Sequence, residues 1–300
     1  MLTKTVKGVL KGAVRRTLRY VQSPKVKPNE SHNYGQYGQE DYAYSWLNSI
    51  FTELLNESRG SLRPSYTWGV LQSVHLAKAI GIDHVSVIEF GVAGGNGLIE
   101  LERIAEKVEE ILGVGIDVYG FDTGTGLPKP QDYRDLPNLY TEKAFPMDVE
   151  KLKNRLKRAH LVLGLVESTV PKFIDCAPAP VAFISFDLDY YSSTMRAFKL
   201  LEADHALLLP RIHCYCDDIM GFTFSDYTGV RLAISEFNAS HSMRKISPIY
   251  CLRYYLPTPP ERDHWPEKFY MAHFFDHYLY GRNDGSVRRP VGSSMDLKDK

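Results

Sequence analysis

The stretch from Val85 to Gly97 constrains the fold more than any other part of the sequence. An apolar run reaches Glu89 and Phe90, and four glycines follow within the next seven residues. This pattern predicts a buried strand that leads into a tight loop, because glycine accepts positive φ and lets backbone N–H groups approach a ligand. Residues 98–112 then carry a helical pattern, so a helix N-terminus faces the same loop. The order of strand, glycine loop and helix predicts a nucleotide-type pocket.

The spacing of these glycines argues against the most common nucleotides. Gly91, Gly94, Gly95 and Gly97 give the pattern G-x-x-G-G-x-G, whereas dinucleotide-binding folds use G-x-G-x-x-G. No Gly-Lys-Ser/Thr ending follows, so triphosphate binding is disfavoured. A glycine-rich turn without any ligand is the alternative at this point.

The composition fits one α/β domain with extensions. The chain has 300 residues, is 44% hydrophobic and has a formal net charge of zero. A neutral chain argues against nucleic acid as a partner. No apolar run approaches the roughly 18 residues of a membrane span. The four cysteines are too scattered for a disulfide framework or a zinc site, which suits a reducing compartment, so we expect a cytoplasmic protein.

Both ends of the chain are predicted to be appendages. Residues 1–21 place apolar side chains at helical spacing with basic residues between them, which predicts a basic amphipathic helix. This helix either contacts a membrane surface or a partner, or packs as an ordinary surface helix. We therefore expect an extension and linker at residues 1–39, the main domain at 40–282 with a helical cap at 40–80, and a flexible tail at 283–300. A homo-oligomer is compatible with this organisation.

The main domain alternates between β-prone and helical patterns. After the first strand, the predicted strands are residues 114–121, 161–165, 181–186 and 206–216. Predicted helices are residues 149–159, a segment that begins at Ser192 or Ser193 and ends at 201, and residues 227–240. Two aromatic runs, residues 249–256 and 269–280, are typical of an antiparallel terminal pair. The alternation predicts a doubly wound, mostly parallel α/β sheet.

Polar residues near the predicted strand ends are candidates for nucleotide binding, because open parallel sheets bind ligands at that edge. Asp122 is placed to accept hydrogen bonds from both ribose hydroxyls, although Asp-Thr-Gly is also ordinary turn chemistry. Glu167 or Ser168 is placed to contact the edge of the base. Tyr66 and Trp68 either stack on the bound nucleoside or substrate, or belong to the core.

Four further acids follow the fourth and fifth strands. Asp187, Asp189, Asp217 and Asp218 are expected to converge on one small volume. Carboxylates do not share such a volume unless a cation neutralises them or some of them are protonated. Ligand sets that contain only oxygen favour a hard ion such as Mg²⁺.

Four motifs within residues 60–245 combine these features. They are Glu89-x-Gly91-x-x-Gly94-Gly95, Phe121-Asp122-x-x-x-Gly126-Leu127-Pro128, Asp187-x-Asp189-x-Tyr191-x-Ser193-Thr194 and Asp217-Asp218. As a set they resemble the macrocin O-methyltransferase family of class I S-adenosylmethionine-dependent methyltransferases. The resemblance implies a metal-dependent enzyme that methylates a sugar hydroxyl, with a seven-stranded sheet whose sixth and seventh strands are antiparallel. The acceptor would be a small molecule, glycosylated or polyhydroxylated.

The resemblance also implies a role for each motif residue. Asp189 would be the general base, although some family members use a histidine, for which His213 is a candidate that fits a core position better. The other implied roles are metal ligands for Asp187, Asp217 and Asp218, a ribose ligand for Asp122, and a holder of the methionine end of S-adenosylmethionine for Glu89 with Gly91, Gly94 and Gly95.

Other interpretations stay open. Asp187-x-Asp189 is also the metal-binding signature of nucleotide-sugar glycosyltransferases, although that reading leaves the glycine loop and Asp122 without a task. A non-catalytic, methyltransferase-like scaffold used for binding is a third interpretation. A phenol that chelates Mg²⁺ through a diol is a further candidate acceptor.

Overall fold

The structure is a computed structural model that describes residues 40–57, 62–221, 223–257 and 263–281. The predicted basic helix at residues 1–21, the linker that follows it and the tail at 283–300 lie outside the described residues. Within the described ranges, no helix is both long enough and apolar enough to cross a membrane.

The described residues alternate between strands and helices. The strands are β1 (His84–Phe90), β2 (Gly115–Asp122), β3 (His160–Leu163), β4 (Val181–Phe186), β5 (Leu208–Cys216), β6 (Arg244–Pro248) and β7 (Phe269–Phe274). The α-helices are α1 (Glu40–Glu57), α2 (Pro64–Ile80), α3 (Asn96–Leu112), α4 (Val149–Lys153), α5 (Val166–Asp175), α6 (Tyr191–Ala197), α7 (Gly229–Ser240) and α8 (Leu252–Tyr255).

All the strands form one sheet in the order β3-β2-β1-β4-β5-β7-β6. Strands β1 to β5 pair in parallel, and β7 is antiparallel to both β5 and β6. Helices α1, α2 and α3 pack against one another, as do α5, α6 and α7, and these two groups cover the two faces of the sheet. The strand order reverses between β1 and β4, which opens a crevice at their carboxyl ends. The predicted class I methyltransferase-like fold is confirmed.

The core is centred on β1 and β4, which helices cover on both faces. Every residue of β4 is buried, as is every residue of β1 after His84. Such near-continuous apolar runs are typical of central parallel strands. Helix α2 also belongs to the core, because Tyr66 and Trp68 at its start are both buried. The core interpretation of these two aromatic side chains is therefore the correct one.

The helix predicted at residues 149–159 is wrong in length, because α4 ends at Lys153. The buried carboxylate of Glu102 accepts hydrogen bonds from the backbone N–H groups of Lys157, Arg158 and Ala159, at 2.9, 2.7 and 2.8 Å. These bonds hold the chain in a turn before β3. A contact with a residue more than fifty positions earlier in the sequence thus overrides the local helical pattern.

The strand predicted at residues 249–256 is also wrong, because the antiparallel partner of β7 is β6 at Arg244–Pro248. The Asn238 side chain fixes β6 through two hydrogen bonds with Ile246, one to its N–H at 2.7 Å and one to its C=O at 2.8 Å. Residues 252–255 form α8 instead. The predicted antiparallel terminal pair exists, but its first strand comes earlier in the chain.

The cap predicted for α6 is wrong as well. Neither Ser192 nor Ser193 is the N-cap, because the helix begins after Tyr190, whose side chain makes no capping bond. Instead, the buried Asp135 carboxylate accepts hydrogen bonds from the Ser192 N–H and hydroxyl, each at 2.8 Å. An acid that is distant in the sequence therefore accepts a hydrogen bond from a backbone N–H in the first turn of this helix.

Candidate active site

The glycine loop connects β1 to α3 as predicted, and two of its glycines allow close approaches. Gly91 has φ of +87°, and a Cβ there would lie 1.6 Å from the Asp187 carbonyl oxygen. A Cβ at Gly97 would lie 2.0 Å from Glu89 Oε1. The chain between them contains Gly94 and Gly95, the latter being the N-cap of α3. These glycines let the ends of β1 and β4 meet and bring α3 against Glu89.

Asp122 holds the glycine loop against the end of β2. Its Oδ2 accepts hydrogen bonds from the N–H groups of Val92 at 3.0 Å and Ala93 at 2.9 Å, and its Oδ1 accepts one from Gly124 N–H at 2.7 Å. A carboxylate oxygen has two acceptor positions, so Oδ1 can accept one more hydrogen bond. Asp122 therefore shapes the loop and still has an acceptor for a ligand hydroxyl.

Glu89 is a buried carboxylate with one satisfied oxygen and one open oxygen. Only 2% of the residue is exposed. The Tyr66 hydroxyl donates a 2.7 Å hydrogen bond to Oε1, whereas Oε2 is buried and has no partner among the described residues. Burial raises the pKa of Glu89 to about 7, although Tyr66 and the guanidinium of Arg63 oppose this rise. A buried polar atom without a partner indicates a place for a ligand.

Asp187, Asp217 and Asp218 come together at the ends of β4 and β5. Each offers one carboxylate oxygen, and the three oxygens lie within 4.8 Å of one another. Burial, followed by the charges of Asp218 and Asp217, raises the pKa of Asp187 well above its usual range, and burial likewise raises the pKa of Asp218. Asp217 accepts hydrogen bonds from Lys268 Nζ at 2.8 Å and from the Tyr215 hydroxyl at 3.0 Å.

Asp189 lies beside this acidic cluster in an uncommon backbone conformation. Its φ is +59°, and the Tyr190 N–H bonds to the Leu188 carbonyl across it, which makes a strained three-residue turn. The Asp189 N–H donates a 2.8 Å hydrogen bond to Asp218 Oδ2, which supports the turn. Burial and the nearby Asp218 charge raise the pKa of Asp189 to about 7. Such strain often marks functional residues.

A single cavity of about 380 Å³ joins the glycine loop to the acidic residues. This volume is within the range of small-molecule sites. Its lining includes Gly91, Ala93 and Asp122 from the region of the glycine loop, and also Tyr140, Asp187, Asp189, Asp217 and Asp218. The apolar part of the lining includes Phe121, Leu127, Phe145, Leu165 and Val166. Glu89 is absent from this lining.

Glu167 and Ser168 lie in the first turn of α5, and both are exposed. The Ser168 hydroxyl donates to the Leu165 carbonyl at 2.9 Å, and Glu167 forms a 3.8 Å ion pair with Arg196. The two residues just before them, Leu165 and Val166, line the cavity instead. Contact of Glu167 or Ser168 with a base therefore stays a prediction.

His213 is a core residue, as its position in a strand suggested. It is buried, its Nδ1 lies 3.0 Å from the Ser73 hydroxyl, and its ring packs edge-on against Trp68. Burial lowers the pKa of His213 to about 3, so the ring is neutral. It does not line the cavity that contains Asp189.

Sequence reasoning missed several polar residues that contact the acids or lie near them, among them Arg63, Tyr140 and Lys268. Arg63 precedes α2 and lies near Glu89. The Tyr140 hydroxyl donates to Asp218 Oδ1 at 3.2 Å, and Lys268 pairs with Asp217. Each comes from a different segment, and none belongs to a recurring local motif. Their relation to the site is visible only in the folded structure, where they lie close to its acids.

No protein-family model matches the chain, and no curated protein matches it. Solved structures of methyltransferases do match. The calicheamicin methyltransferase CalS11 shares 21% identity over 71% of this chain and 91% of that chain, with a TM-score of 0.45. The O-methyltransferase NovP shares 13% over 67% and 90%, with a TM-score of 0.45. An O-methyltransferase from Bacillus cereus in complex with SAH shares 14% over 76% and 89%, with a TM-score of 0.37.

These likenesses are too distant to identify the reaction of this chain. The specific resemblance to the macrocin O-methyltransferase family stays a prediction.

Proposed function

We propose that this chain is an S-adenosylmethionine-dependent O-methyltransferase, assisted by a divalent metal ion such as Mg²⁺, that acts on a hydroxyl of a sugar-containing or other small polyhydroxylated molecule. The observation that carries this proposal is the single cavity that is lined both by Asp122 with the glycine loop and by the four carboxylates of Asp187, Asp189, Asp217 and Asp218. A nucleoside-bearing cofactor and an acceptor hydroxyl can therefore share one partly enclosed space. A cytoplasmic location and a membrane contact through residues 1–21 remain predictions.

The residues on and next to the glycine loop fit the cofactor. Glu89 precedes the loop, and its buried Oε2 lacks a partner among the described residues, which suits the positively charged methionine end. The remaining acceptor position of Asp122 Oδ1 suits a ribose hydroxyl. Leu165 and Val166 give the cavity an apolar wall of the kind that a base requires. When bound, S-adenosylmethionine would supply an electrophilic methyl group.

The acidic residues of the cavity fit a metal ion. Asp187, Asp217 and Asp218 offer three carboxylate oxygens within 4.8 Å of one another, and an all-oxygen set favours a hard divalent ion. When bound, such an ion would lower the pKa of an acceptor hydroxyl.

Asp189 is the residue that we assign as the general base. Its turn conformation, supported by the bond from its N–H to Asp218, holds its side chain in the cavity beside the three metal-ligand candidates. In this role the Asp189 carboxylate would take the proton that the acceptor hydroxyl loses on methylation. The products are a methyl ether and S-adenosylhomocysteine. The apolar walls limit water near the reacting groups.

The decisive test is calorimetric titration of S-adenosylhomocysteine, with and without Mg²⁺, into the wild type and Asp122→Ala. We expect the wild type to bind and the variant to lose most of its affinity, because Asp122 organises the loop and faces the ribose. Asp117→Ala is the matched control, since Asp117 lies on the same strand but pairs with the exposed His84. A wild type that bound nucleotide sugars but not S-adenosylhomocysteine would favour a glycosyltransferase, and binding of S-adenosylhomocysteine without any affinity for Mg²⁺ would argue for a non-catalytic scaffold.

A further inference from the structure

Tyr66 connects α2 to the two central strands through its hydroxyl. The side chain is completely buried, and the hydroxyl donates to Glu89 Oε1 on β1 at 2.7 Å. It also lies 2.9 Å from the Ser185 hydroxyl on β4. A phenol has one proton, so when Tyr66 donates to Glu89 the Ser185 hydroxyl must donate to the Tyr66 oxygen. Both hydrogen bonds therefore have a fixed direction, and they restrict the rotation of the Glu89 carboxylate.

The surroundings of Glu89 leave one of its oxygens open. Gly97 of α3 lies so close to Oε1 that an added Cβ would be 2.0 Å away, and Tyr66 bonds to the same oxygen. The Arg63 guanidinium lies 5.2 Å from the centre of the Tyr66 ring and forms a 3.2 Å ion pair with Glu100. Oε2, in contrast, is buried and has no partner in the described part of the chain. The carboxylate is thus held with one oxygen available to a ligand.

We propose that Tyr66 is a positioning residue that holds Glu89 so that its open oxygen receives the ammonium group of the cofactor, and that Tyr66 sets the pH range in which the cofactor binds. This inference rests on the proposed function. Tyr66 acts through Glu89 and does not contact the cofactor. No residue of the acidic cluster is needed for this role.

The charges around Glu89 give the expected direction of the pH dependence. Tyr66 and Arg63 favour the charged carboxylate, whereas burial and the acids Asp122 and Glu100 oppose it. Asp187 also faces Glu89 from the end of β4. Because the balance leaves the pKa of Glu89 at about 7, cofactor affinity should fall as the pH drops through that value. Removing the Tyr66 hydroxyl should move this transition to higher pH, because Glu89 loses a donor that stabilises its charge.

The test is calorimetric titration of S-adenosylmethionine into the wild type, Tyr66→Phe and Tyr119→Phe, from about pH 6 to about pH 9. We expect Tyr66→Phe to weaken binding roughly tenfold near neutral pH, as for a lost hydrogen bond to a charged group, and to raise the midpoint of the pH profile. Tyr119→Phe is the matched control, because Tyr119 lies on β2 and packs against Phe173, away from Glu89. It should match the wild type.

A second ligand separates positioning from a general loss of structure. Methylthioadenosine carries the nucleoside and sulfur of the cofactor but no amino-acid end. Its affinity should be independent of pH in this range and equal in the wild type and Tyr66→Phe. An equal loss of affinity for both ligands, or an unchanged pH profile for S-adenosylmethionine, would overturn the inference.

Failure of the cofactor assignment would give a different result, since the wild type would then bind neither ligand at any pH. If Tyr66→Phe fails to fold, Arg63→Gln tests whether the charge of Glu89 sets the pH profile. Arg63 also favours the charged Glu89, and its side chain is 42% exposed. The midpoint should again rise, and an unchanged midpoint in Arg63→Gln would count against the proposal.

Discussion

The carboxylates at the carboxyl end of the sheet fall into two sites that differ in their neighbours. Glu89 is almost fully buried, and one guanidinium and one phenol favour its charged form against the nearby acids Asp122 and Glu100. The acidic cluster of Asp187, Asp217 and Asp218 is partly exposed, and among the described residues its cationic contact is Lys268. We therefore expect residues with the same functional group, at the same edge of one sheet, to bind different ligands.

The difference between the two sites is one of charge balance. For Glu89, nearby Tyr66 and Arg63 lower the pKa that burial raises. For Asp187, the neighbouring carboxylates raise the pKa further in the same direction as burial. A single carboxylate with one unpaired oxygen suits a monovalent organic cation. Three converging carboxylates need a cation of higher charge density. The following variants test whether the two sites bind their ligands independently.

The largest effect is expected from Asp187→Asn. Removing one of the three candidate metal ligands should weaken Mn²⁺ binding by at least about 100-fold, which electron paramagnetic resonance can measure. The same change should raise the melting temperature of the metal-free protein at neutral pH, because burial and the neighbouring carboxylates make the ionised form of Asp187 unfavourable in the folded state, whereas asparagine is always neutral. Asp226→Asn is the control, since Asp226 is exposed and pairs with Arg231. Unchanged Mn²⁺ affinity in Asp187→Asn would contradict the metal assignment.

The next effect is expected from Glu89→Gln and depends on pH. The pKa of Glu89 is raised from 4.5 to about 7 in the folded protein, so the folded state binds this proton more tightly than the unfolded state. The stability that this provides is fully present below about pH 4.5 and is lost as the pH rises through about 7. This difference in pKa corresponds to about 3 kcal/mol. Glutamine does not titrate, so the variant does not lose stability in this way as the pH rises. It should be more stable than the wild type above about pH 8 and similar to it near pH 5.

Urea denaturation at these two pH values measures this difference, with Glu106→Gln on the exposed face of α3 as the control. The comparison of the two sites adds a second readout, because Glu89→Gln should weaken the binding of S-adenosylmethionine and leave Mn²⁺ affinity unchanged. A stability difference that did not vary with pH would show that Glu89 is ionised in the metal-free protein at all these values.

Local patterns were sufficient to predict the fold and most of the candidate acids. Each predicted part of the site lies at the end of a strand or directly after it, so its position in the chain determines its place at the sheet edge. This holds for the glycine loop, Asp122 and the two aspartate motifs. The strand at residues 249–256 was predicted wrongly because the prediction relied on the β-prone composition of that run alone. The pairing of β6 depends on Asn238, which lies outside the run.

The groups that adjust these acids could not be predicted from local patterns. Tyr66 is 23 residues from Glu89, Lys268 is 51 residues from Asp217, and Tyr140 is 78 residues from Asp218. For Tyr66 the sequence left two interpretations open, and the structure supports the core position. The sequence did not show that its hydroxyl reaches Glu89, because a sequence pattern predicts that a tyrosine is buried but not which group its hydroxyl contacts.

The smallest effect is expected from Lys268→Met, which tests the acidic cluster from its cationic side. Lys268 Nζ lies 2.8 Å from Asp217 Oδ1, an oxygen of one of the three candidate metal ligands. Because a metal ion would compete with this ammonium for Asp217, removing the charge should tighten Mn²⁺ binding. The pair is partly exposed, so we expect a gain of about two- to fivefold.

Lys268→Arg keeps the charge and should stay near the wild type, and S-adenosylmethionine affinity should change in neither variant. Weaker Mn²⁺ binding in Lys268→Met would show that the lysine supports the geometry of Asp217 rather than competing for it. The cluster would then resemble the Glu89 site, where a cation and a phenol hold the carboxylate ready for its ligand, and the contrast between the two sites would be lost.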